Sequence, residues 1–122
     1  MKNNPTIVMI VEDEVLLQDV YKLVLETKGY KVFTANNGQE ALDKISEVSP
    51  DVVLLDMLMP VMSGQKFMQT INRKDYPNTR IIVYTNLSDS AIEAEMLELG
   101  ADRFILKSSM TPSDLVDLVE TV

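Results

Sequence analysis

Short uninterrupted apolar runs alternate along the chain with segments whose apolar residues recur every three or four positions. Runs of the first kind are typical of strands buried on both faces, and segments of the second kind are typical of amphipathic helices. The pattern predicts five strands, at residues 6–11, 30–35, 51–56, 79–85 and 102–107. It also predicts five helices, at residues 14–29, 39–48, 65–74, 88–100 and 111–122.

Several residues indicate how the predicted helices face and where they begin and end. Four apolar residues of the first helix fall on one face: Leu16, Val20, Leu23 and Val24. Gly29 is a typical stop for that helix, because glycine readily adopts the left-handed conformation found there. Ser88 and Thr111 are predicted N-caps, since their hydroxyls can accept hydrogen bonds from free backbone N–H groups. Pro112 then falls in the first turn of the last helix, where proline is well tolerated.

Strict alternation of strands and helices predicts an α/β fold. Continuous apolar strands indicate a parallel sheet covered by helices on both faces. Five strand–helix units are too few for an eight-stranded barrel, so an open, doubly wound sheet is expected. The flavodoxin-like strand order 2-1-3-4-5 is the common arrangement at this size. We expect residues 1–122 to form one domain.

Composition excludes several kinds of chemistry. The chain has no cysteine and no histidine, so thiolate or imidazole nucleophiles, bases and metal ligands are excluded. The net charge is −8, with no basic patch, so direct nucleic-acid binding is not expected. The segment 1–14 does not resemble a signal peptide, and no apolar run is long enough to cross a membrane. A cytoplasmic location without membrane contact is therefore expected.

Polar residues follow the predicted strands at their carboxyl ends. Glu12 and Asp13 follow strand 1, Asp56 ends strand 3, Thr85 ends strand 4 and Lys107 ends strand 5. Open α/β sheets bind ligands at this edge, and strands 1 and 3 are neighbours at the topological switch point. Three carboxylates are thus predicted to converge there, with a hydroxyl and an ammonium group from the next two strands.

Carboxylates brought this close repel one another, and a hard divalent cation such as Mg²⁺ neutralises them. Magnesium also binds phosphate oxygens, and phosphoryl transfer depends mainly on positioning and charge neutralisation. A carboxylate can act as nucleophile by forming an aspartyl-phosphate. Asp56, central among the strand ends, is the candidate nucleophile.

Four short motifs, in this order and on this alternation of elements, point to a family. They are "VEDE" after strand 1, "DMLMPVMSG" after strand 3, "YT" ending strand 4 and "FILK" ending strand 5. Essentially the whole chain resembles the receiver domain of two-component response regulators, in the CheY-like superfamily. The resemblance implies a phosphoacceptor switch rather than an enzyme, with Mg²⁺-dependent self-phosphorylation and dephosphorylation as its only chemistry.

The resemblance also implies roles for individual residues. Asp56 would accept a phosphoryl group from a sensor histidine kinase or a phosphotransfer protein of a phosphorelay. The Mg²⁺ ligands would be Asp13, Asp56 and the backbone carbonyl of Leu58, with Glu12 helping directly or through water. Lys107 would pair with the phosphoryl oxygens.

Signalling would follow from a second set of roles implied by the resemblance. Thr85 would hydrogen-bond the phosphoryl group and move towards it, and Phe104 would turn inward as the switch aromatic. The helix 4–strand 5–helix 5 face would then control a partner or a C-terminal output domain that is missing here. The protein would be a monomer or a phosphorylation-dependent dimer. The basic residues used by one large dimerising subfamily are absent from helices 4 and 5.

Two positions depart from the family pattern. Ser108 replaces the usual proline after the strand 5 lysine, and a cis bond before a non-proline residue costs about 3 kcal/mol. A trans Lys107–Ser108 bond is therefore expected, with an altered loop around Lys107. Asn86 stands where alanine or glycine is commoner, and its bulk is expected to change the lifetime of the phosphorylated state.

Three other functions fit parts of the sequence. One is a receiver-like interaction module that is not regulated by phosphorylation, although such modules usually lack some of the acids or the lysine retained here. A phosphatase of the haloacid dehalogenase type would need an acid at position 58, which is Leu58. A flavodoxin would need a phosphate-binding loop after strand 1, where this chain has acids that would repel phosphate.

Overall fold

A computed structural model of the protein describes residues 6–122, which form five strands and five α-helices in alternation. The strands are β1 (Ile7–Val11), β2 (Lys31–Ala35), β3 (Val52–Asp56), β4 (Arg80–Thr85) and β5 (Arg103–Leu106). The helices are α1 (Val15–Thr27), α2 (Gly38–Val48), α3 (Gly64–Thr70), α4 (Ser90–Glu98) and α5 (Pro112–Thr121). Two short 3₁₀ helices occupy Arg73–Asp75 and Lys107–Ser109.

The five strands form one parallel sheet in the order β2-β1-β3-β4-β5. The predicted doubly wound, flavodoxin-like fold is confirmed. Strand β3 lies in the centre and all five of its residues are buried, as expected of an uninterrupted apolar run. Its register pairs Leu55 with Val11 of β1, and Asp56 with Tyr84 of β4.

Helices cover both faces of the sheet, so successive residues of each strand enter different core layers. One layer combines Phe67 of α3 and Met96 of α4 with strand residues such as Val83. The other combines Tyr21 of α1 and Leu115 of α5 with strand residues that include Tyr84. This division decides which residues at the strand ends face each other.

Helix α1 does not bury the face predicted from its sequence. Leu16 is 82% exposed and Leu23 is 67% exposed, and Val20 is exposed as well. The residues that α1 buries are Gln18, Tyr21 and Leu25. Apolar residues lie on two sides of this helix, and the periodic pattern could not tell which side would pack on the sheet. The aromatic ring of Tyr21 and the polar contacts of Gln18 select the other one.

The helix starts were predicted correctly in one case and incorrectly in another. Thr111 caps α5 as expected: its hydroxyl accepts from the N–H of Asp114, whose carboxylate accepts from the N–H of Thr111. Ser88 is not the cap of α4. Asp89 takes that place, and its carboxylate accepts from the N–H groups of Ala91 and Ile92. A charged acceptor satisfies two free donors there, which one hydroxyl does less well.

Helix α3 ends earlier than predicted, at Thr70 rather than at residue 74. Ile71 is extended, and the amide oxygen of Asn72 accepts from the N–H of Lys74 to start the 3₁₀ turn Arg73–Asp75. Asparagine competes for backbone hydrogen bonds in this way, which explains the early end.

Two further expectations concern backbone geometry and membrane contact. Within residues 6–122 every peptide bond is trans, so the prediction for Lys107–Ser108 is confirmed. Among these residues no helix combines the length and apolar character that a membrane span requires. The first five residues of the predicted domain and of the N-terminal segment 1–14 lie outside the described residues.

Candidate functional site

The predicted site residues meet at the carboxyl edge of the sheet because of strand register. Val11 pairs with Leu55, so Glu12 comes beside Asp56, and Asp56 pairs with Tyr84. Their side chains share the sheet face covered by α1 and α5, since alternate residues of a strand point the same way. Lys107, directly after β5, reaches the same group of side chains.

Glu12, Asp13 and Asp56 form a cluster of acids in which one carboxylate oxygen of each lies within 4.8 Å of the others. Glu12 is fully buried and Asp56 is 3% exposed, whereas Asp13 is open to solvent. Carboxylate oxygens are the ligands that Mg²⁺ prefers, and one exposed position lets the ion keep water molecules. The donor set therefore fits the predicted Mg²⁺.

Glu12 is held by three donors. Its Oε1 accepts from Tyr84 Oη at 2.8 Å and lies 3.3 Å from Lys107 Nζ, and its Oε2 accepts from the N–H of Glu14 at 3.0 Å. Burial alone would raise the pKa of Glu12, but the Glu14 N–H, the Tyr84 phenol and Lys107 together hold that pKa below its usual value. Glu12 is thus a buried, ionised carboxylate.

Asp56 has fewer donors than Glu12. The N–H of Leu58 donates to Oδ1 at 3.3 Å, and Lys107 Nζ lies 3.3 Å from Oδ2. Burial, and next the negative charge of Glu12, raise the pKa of Asp56 to about 7, against the opposing effect of Lys107. Without a cation, Asp56 therefore sits close to the point where it gains or loses a proton at neutral pH.

Lys107 bridges the two buried acids from the end of β5. Its side chain is 13% exposed, and the ammonium group lies 5.2 Å from the centre of the Tyr84 ring. Burial lowers the pKa of Lys107, but Asp56 and Glu12 outweigh burial and raise that pKa above its usual value. The ammonium group stays charged and compensates the repulsion between the acids.

The other predicted site residues lie near this cluster in different settings. Thr85 is buried beside Tyr84 at the end of β4, and its hydroxyl accepts from the N–H of Leu87 at 3.1 Å. Phe104 is half-buried and packs against the core layer beneath α2, α3 and α4. Asn86 is exposed. Leu58 contributes its N–H to Asp56, and the use of its carbonyl group as a metal ligand stays a prediction.

The loop after Asp56 folds back tightly on the strand. The N–H of Gly64 donates to the carbonyl of Met57 at 2.9 Å. A Cβ at position 64 would overlap the carbonyl oxygen of Asp56 and lie 2.9 Å from the Cα of Met57. Only glycine allows this approach, which explains its place in "DMLMPVMSG".

Sequence reasoning missed two residues of the site. In the sequence, Tyr84 stands out only as part of the strand end "YT", yet its hydroxyl reaches Glu12. Gln18 was not singled out, yet it is buried and its amide donates to the carbonyl of Glu12 at 2.8 Å and to Asn36 Oδ1 at 3.2 Å. A polar residue facing inward from an amphipathic helix was the available signal for Gln18. For Tyr84 the signal was its position next to Thr85.

Comparison with known proteins points to one family. Residues 8–120 match the family described as response regulator receiver domain. The chemotaxis protein CheY of Thermotoga maritima is 35% identical over 116 residues, which cover 94% of this chain and 95% of that protein. A probable transcriptional regulator, ycf27, of Guillardia theta is 39% identical over 115 residues. These cover 94% of this chain but 44% of the Guillardia protein.

Solved structures give the same result. The crystal structure of a CheY-like response regulator receiver domain protein from Methanospirillum hungatei JF-1 has a TM-score of 0.88 at 28% identity. The similarity covers 96% of this chain and 92% of that one. Fold, clustered acids and sequence similarity lead to one conclusion: this chain belongs to the response regulator receiver domain family of the CheY-like superfamily.

Proposed function

We propose that this chain is the phosphoacceptor switch of a two-component system and that Asp56 carries the phosphoryl group. One observation supports this most strongly: the Asp56 carboxylate lies between a cluster of acids and a buried ammonium group. The acids are suited to a cation, and Lys107 lies 3.3 Å from Asp56 Oδ2. A purely structural aspartate would need neither the additional acids nor the expensive burial of charge.

The proposed step is a transfer between two residues. An oxygen of the ionised Asp56 attacks the phosphorus of a phosphohistidine in the partner, the N–P bond breaks, and an acyl phosphate forms on Asp56. The electron pair of that bond stays on the imidazole nitrogen, which takes a proton from water. Hydrolysis of the acyl phosphate later returns Asp56 and releases inorganic phosphate, so the chain is not an enzyme acting on other substrates.

In the proposed mechanism, the acids of the site bind the cation and Lys107 contacts the phosphoryl group. Asp13, Asp56 and the carbonyl of Leu58 would hold Mg²⁺, with Glu12 acting on it directly or through water. Bound there, Mg²⁺ supplies positive charge that favours ionised Asp56 and offsets the charge of the phosphoryl oxygens. Lys107 pairs with the phosphoryl oxygens from the side of β5, as a flexible point charge does well.

The proposed output is a shift between two conformations. Thr85 gives up the N–H of Leu87 to bond the phosphoryl group, and Phe104 turns inward into the space that Thr85 leaves. The face formed by α4, β5 and α5 changes with them. A phosphoryl group shifts this equilibrium only by binding one conformation better, which the new bonds to Thr85 and Lys107 provide.

The partners follow from the same role. They are a sensor histidine kinase or phosphotransfer protein as donor, and a target protein or an output domain as receiver of the signal. This chain spans less than half of the Guillardia regulator. Control of an output domain in a longer protein is therefore a proposal as well. Three further points remain predictions: residues 1–122 form one domain, the protein is a monomer or a phosphorylation-dependent dimer, and its location is cytoplasmic.

The rival function is an interaction module that uses the same face without phosphorylation. Mass spectrometry after incubation with Mg²⁺ and acetyl phosphate separates the two. The proposal expects the wild type to gain the mass of one phosphoryl group and Asp56→Asn to gain none. Asp51→Asn is the control, because Asp51 directly precedes β3 at the opposite end of that strand and should leave labelling intact. An unlabelled wild type would refute the proposed function.

A further inference from the structure

Tyr84 contacts two charged residues of the site, Glu12 and Lys107. Strands β1 and β4 are separated by β3, a distance of about 10 Å between outer strands. The side chain of Tyr84 reaches over β3 towards Glu12, and its hydroxyl donates to Glu12 Oε1 at 2.8 Å. The whole side chain is buried, so water does not compete for this bond.

The same ring also contacts the cation of the site. Lys107 Nζ lies 5.2 Å from the centre of the Tyr84 ring, while it approaches Glu12 and Asp56 at 3.3 Å each. A buried ammonium group is attracted to the face of an aromatic ring at this distance. Tyr84 thus contacts both charged neighbours of Asp56, one through its hydroxyl and the other through its ring.

We propose that Tyr84 is a positioning residue that orients Glu12 and Lys107 around Asp56 and thereby sets the affinity of the acidic site for Mg²⁺. This proposal rests on the proposed phosphoacceptor function and names a residue that regulates the same site. Glu12 Oε1 is directed by Tyr84 and Lys107, and Oε2 by the N–H of Glu14. These contacts fix the orientation of the Glu12 carboxylate, so its negative charge stays at a defined position relative to the metal site.

Loss of the Tyr84 hydroxyl should weaken the binding of Mg²⁺. Groups that hydrogen-bond metal-binding carboxylates orient them, and their removal typically weakens metal affinity by about 10- to 100-fold. Tyr84→Phe removes only the hydroxyl and keeps the ring beneath Lys107. We expect it to weaken Mg²⁺ binding by about tenfold. The loss of Asp56 labelling in Tyr84→Phe should therefore become smaller as the Mg²⁺ concentration rises.

The competing explanation is that Tyr84 only fills the core. Its ring meets the ring of Tyr21 edge-on, with centres 6.0 Å apart and an angle of 71° between the planes. A packing role predicts lower stability in Tyr84→Phe without any change in the dissociation constant for Mg²⁺. Tyr21→Phe is the matched control, because it removes a phenol from the same core layer and leaves the Tyr84–Glu12 bond in place.

The experiment measures Mg²⁺ binding by calorimetry in the full chain, and Asp56 labelling by acetyl phosphate as a function of Mg²⁺ concentration. The proposal is supported if Tyr84→Phe raises the dissociation constant and the half-saturating Mg²⁺ concentration together while Tyr21→Phe changes neither. It is overturned if the wild type binds Mg²⁺ and is labelled, and Tyr84→Phe has the same dissociation constant. A wild type that neither binds Mg²⁺ nor is labelled overturns the phosphoacceptor function as well.

Tyr84→Leu tests the contact of the ring with Lys107. Without the ring, Lys107 loses its support, so labelling should fall even at saturating Mg²⁺. Labelling of Tyr84→Leu at the rate of Tyr84→Phe would overturn this part of the proposal. If Tyr84→Leu does not fold, the comparison of Tyr84→Phe with Tyr21→Phe still decides whether the hydroxyl positions Glu12.

Discussion

The ammonium nitrogen of Lys107 lies 3.3 Å from Oδ2 of Asp56, at a position where both groups are almost completely buried. The pair joins the last strand of the sheet to the central one. Charge-assisted contacts of this kind contribute about 1.5–3 kcal/mol, and their loss leaves the remaining charge uncompensated. Lys107 therefore opposes the rise in the pKa of Asp56 that burial and Glu12 cause, and in the proposed mechanism it also pairs with the phosphoryl oxygens.

Lys107→Met should slow the labelling of Asp56 by acetyl phosphate by about tenfold or more at neutral pH. Methionine fills a similar volume without charge, so the pKa of Asp56 rises further and the phosphoryl oxygens lose a partner. Lys66→Met, on the exposed surface of α3, is the control. Equal labelling rates for wild type and Lys107→Met would remove Lys107 from the proposed mechanism.

A second prediction concerns stability and pH in the absence of Mg²⁺. Because the pKa of Asp56 is about 7 in the folded protein and near 3.8 when unfolded, the folded state binds the extra proton between these values. The stabilisation due to this proton is complete below about pH 4 and is lost as pH rises through 7. Asp56→Asn does not titrate, so its stability relative to wild type should increase over this range, by on the order of 3 kcal/mol.

Urea unfolding of both proteins at pH 5 and pH 8, with chelator present, measures this difference. Unfolding at constant ionic strength keeps the screening of surface charges equal in the two sets. A gap between Asp56→Asn and wild type that is the same at both pH values would show that Asp56 does not titrate between pH 5 and pH 8, which would contradict a pKa of about 7 in the folded protein.

A third prediction concerns Mg²⁺ and the repulsion among Glu12, Asp13 and Asp56. An ion that binds only the folded state at ten times its dissociation constant stabilises by about 1.4 kcal/mol, which raises Tm by about 5 °C for a chain of this size. Asp13→Asn should lose most of this increase. Without metal, Asp13→Asn should raise Tm slightly, because it removes one of the three repelling charges, and the effect should be small because Asp13 is exposed.

Thermal unfolding with and without millimolar MgCl₂ gives the answer, with NaCl of equal ionic strength as the reference. If Mg²⁺ raises the Tm of Asp13→Asn as much as that of wild type, the ion binds elsewhere on this acidic surface. The three-acid cluster would then not be the binding site.

The position of Asp56 at the rim of the sheet could be predicted from the sequence because it follows from simple rules. An apolar run that ends in an acid predicts a central strand, and strict alternation predicts the order that brings β1 beside β3. Glu12, Asp13 and Lys107 needed no further information, since each directly follows or ends a strand. The fold and the charges of the site are therefore readable from the chain.

Other features depended on packing that no local pattern describes. Leu16 and Leu23 form a convincing apolar face, yet α1 packs through Tyr21 and Leu25, because the sheet surface that it covers contains Tyr84. The Tyr84–Glu12 bond joins residues that are 72 positions apart, and only the register of three strands brings them together. Ser88 and Asp89 are adjacent and both have side chains that can cap a helix, so the sequence alone does not show that Asp89 caps α4.

The loop after Asp56 contains a strained residue, and its substitution gives the last prediction. Val61 has a φ of +66°, and the N–H of Met62 donates to the carbonyl of Pro60 at 2.7 Å, which describes a classic γ-turn centred on Val61. A β-branched residue is unfavourable at positive φ, by roughly 1–2 kcal/mol. The side chain is 83% exposed, so it gains little from burial in return.

Val61→Gly should therefore raise the free energy of unfolding by about 1 kcal/mol, after allowance for the greater freedom of glycine in the unfolded chain. Val61→Ala is the matched control: it also shortens the side chain but keeps a Cβ at positive φ, so it should gain clearly less. Urea unfolding of the three proteins measures the difference. A glycine variant no more stable than the alanine variant would mean that the loop relaxes around Val61 and that the turn stores no strain.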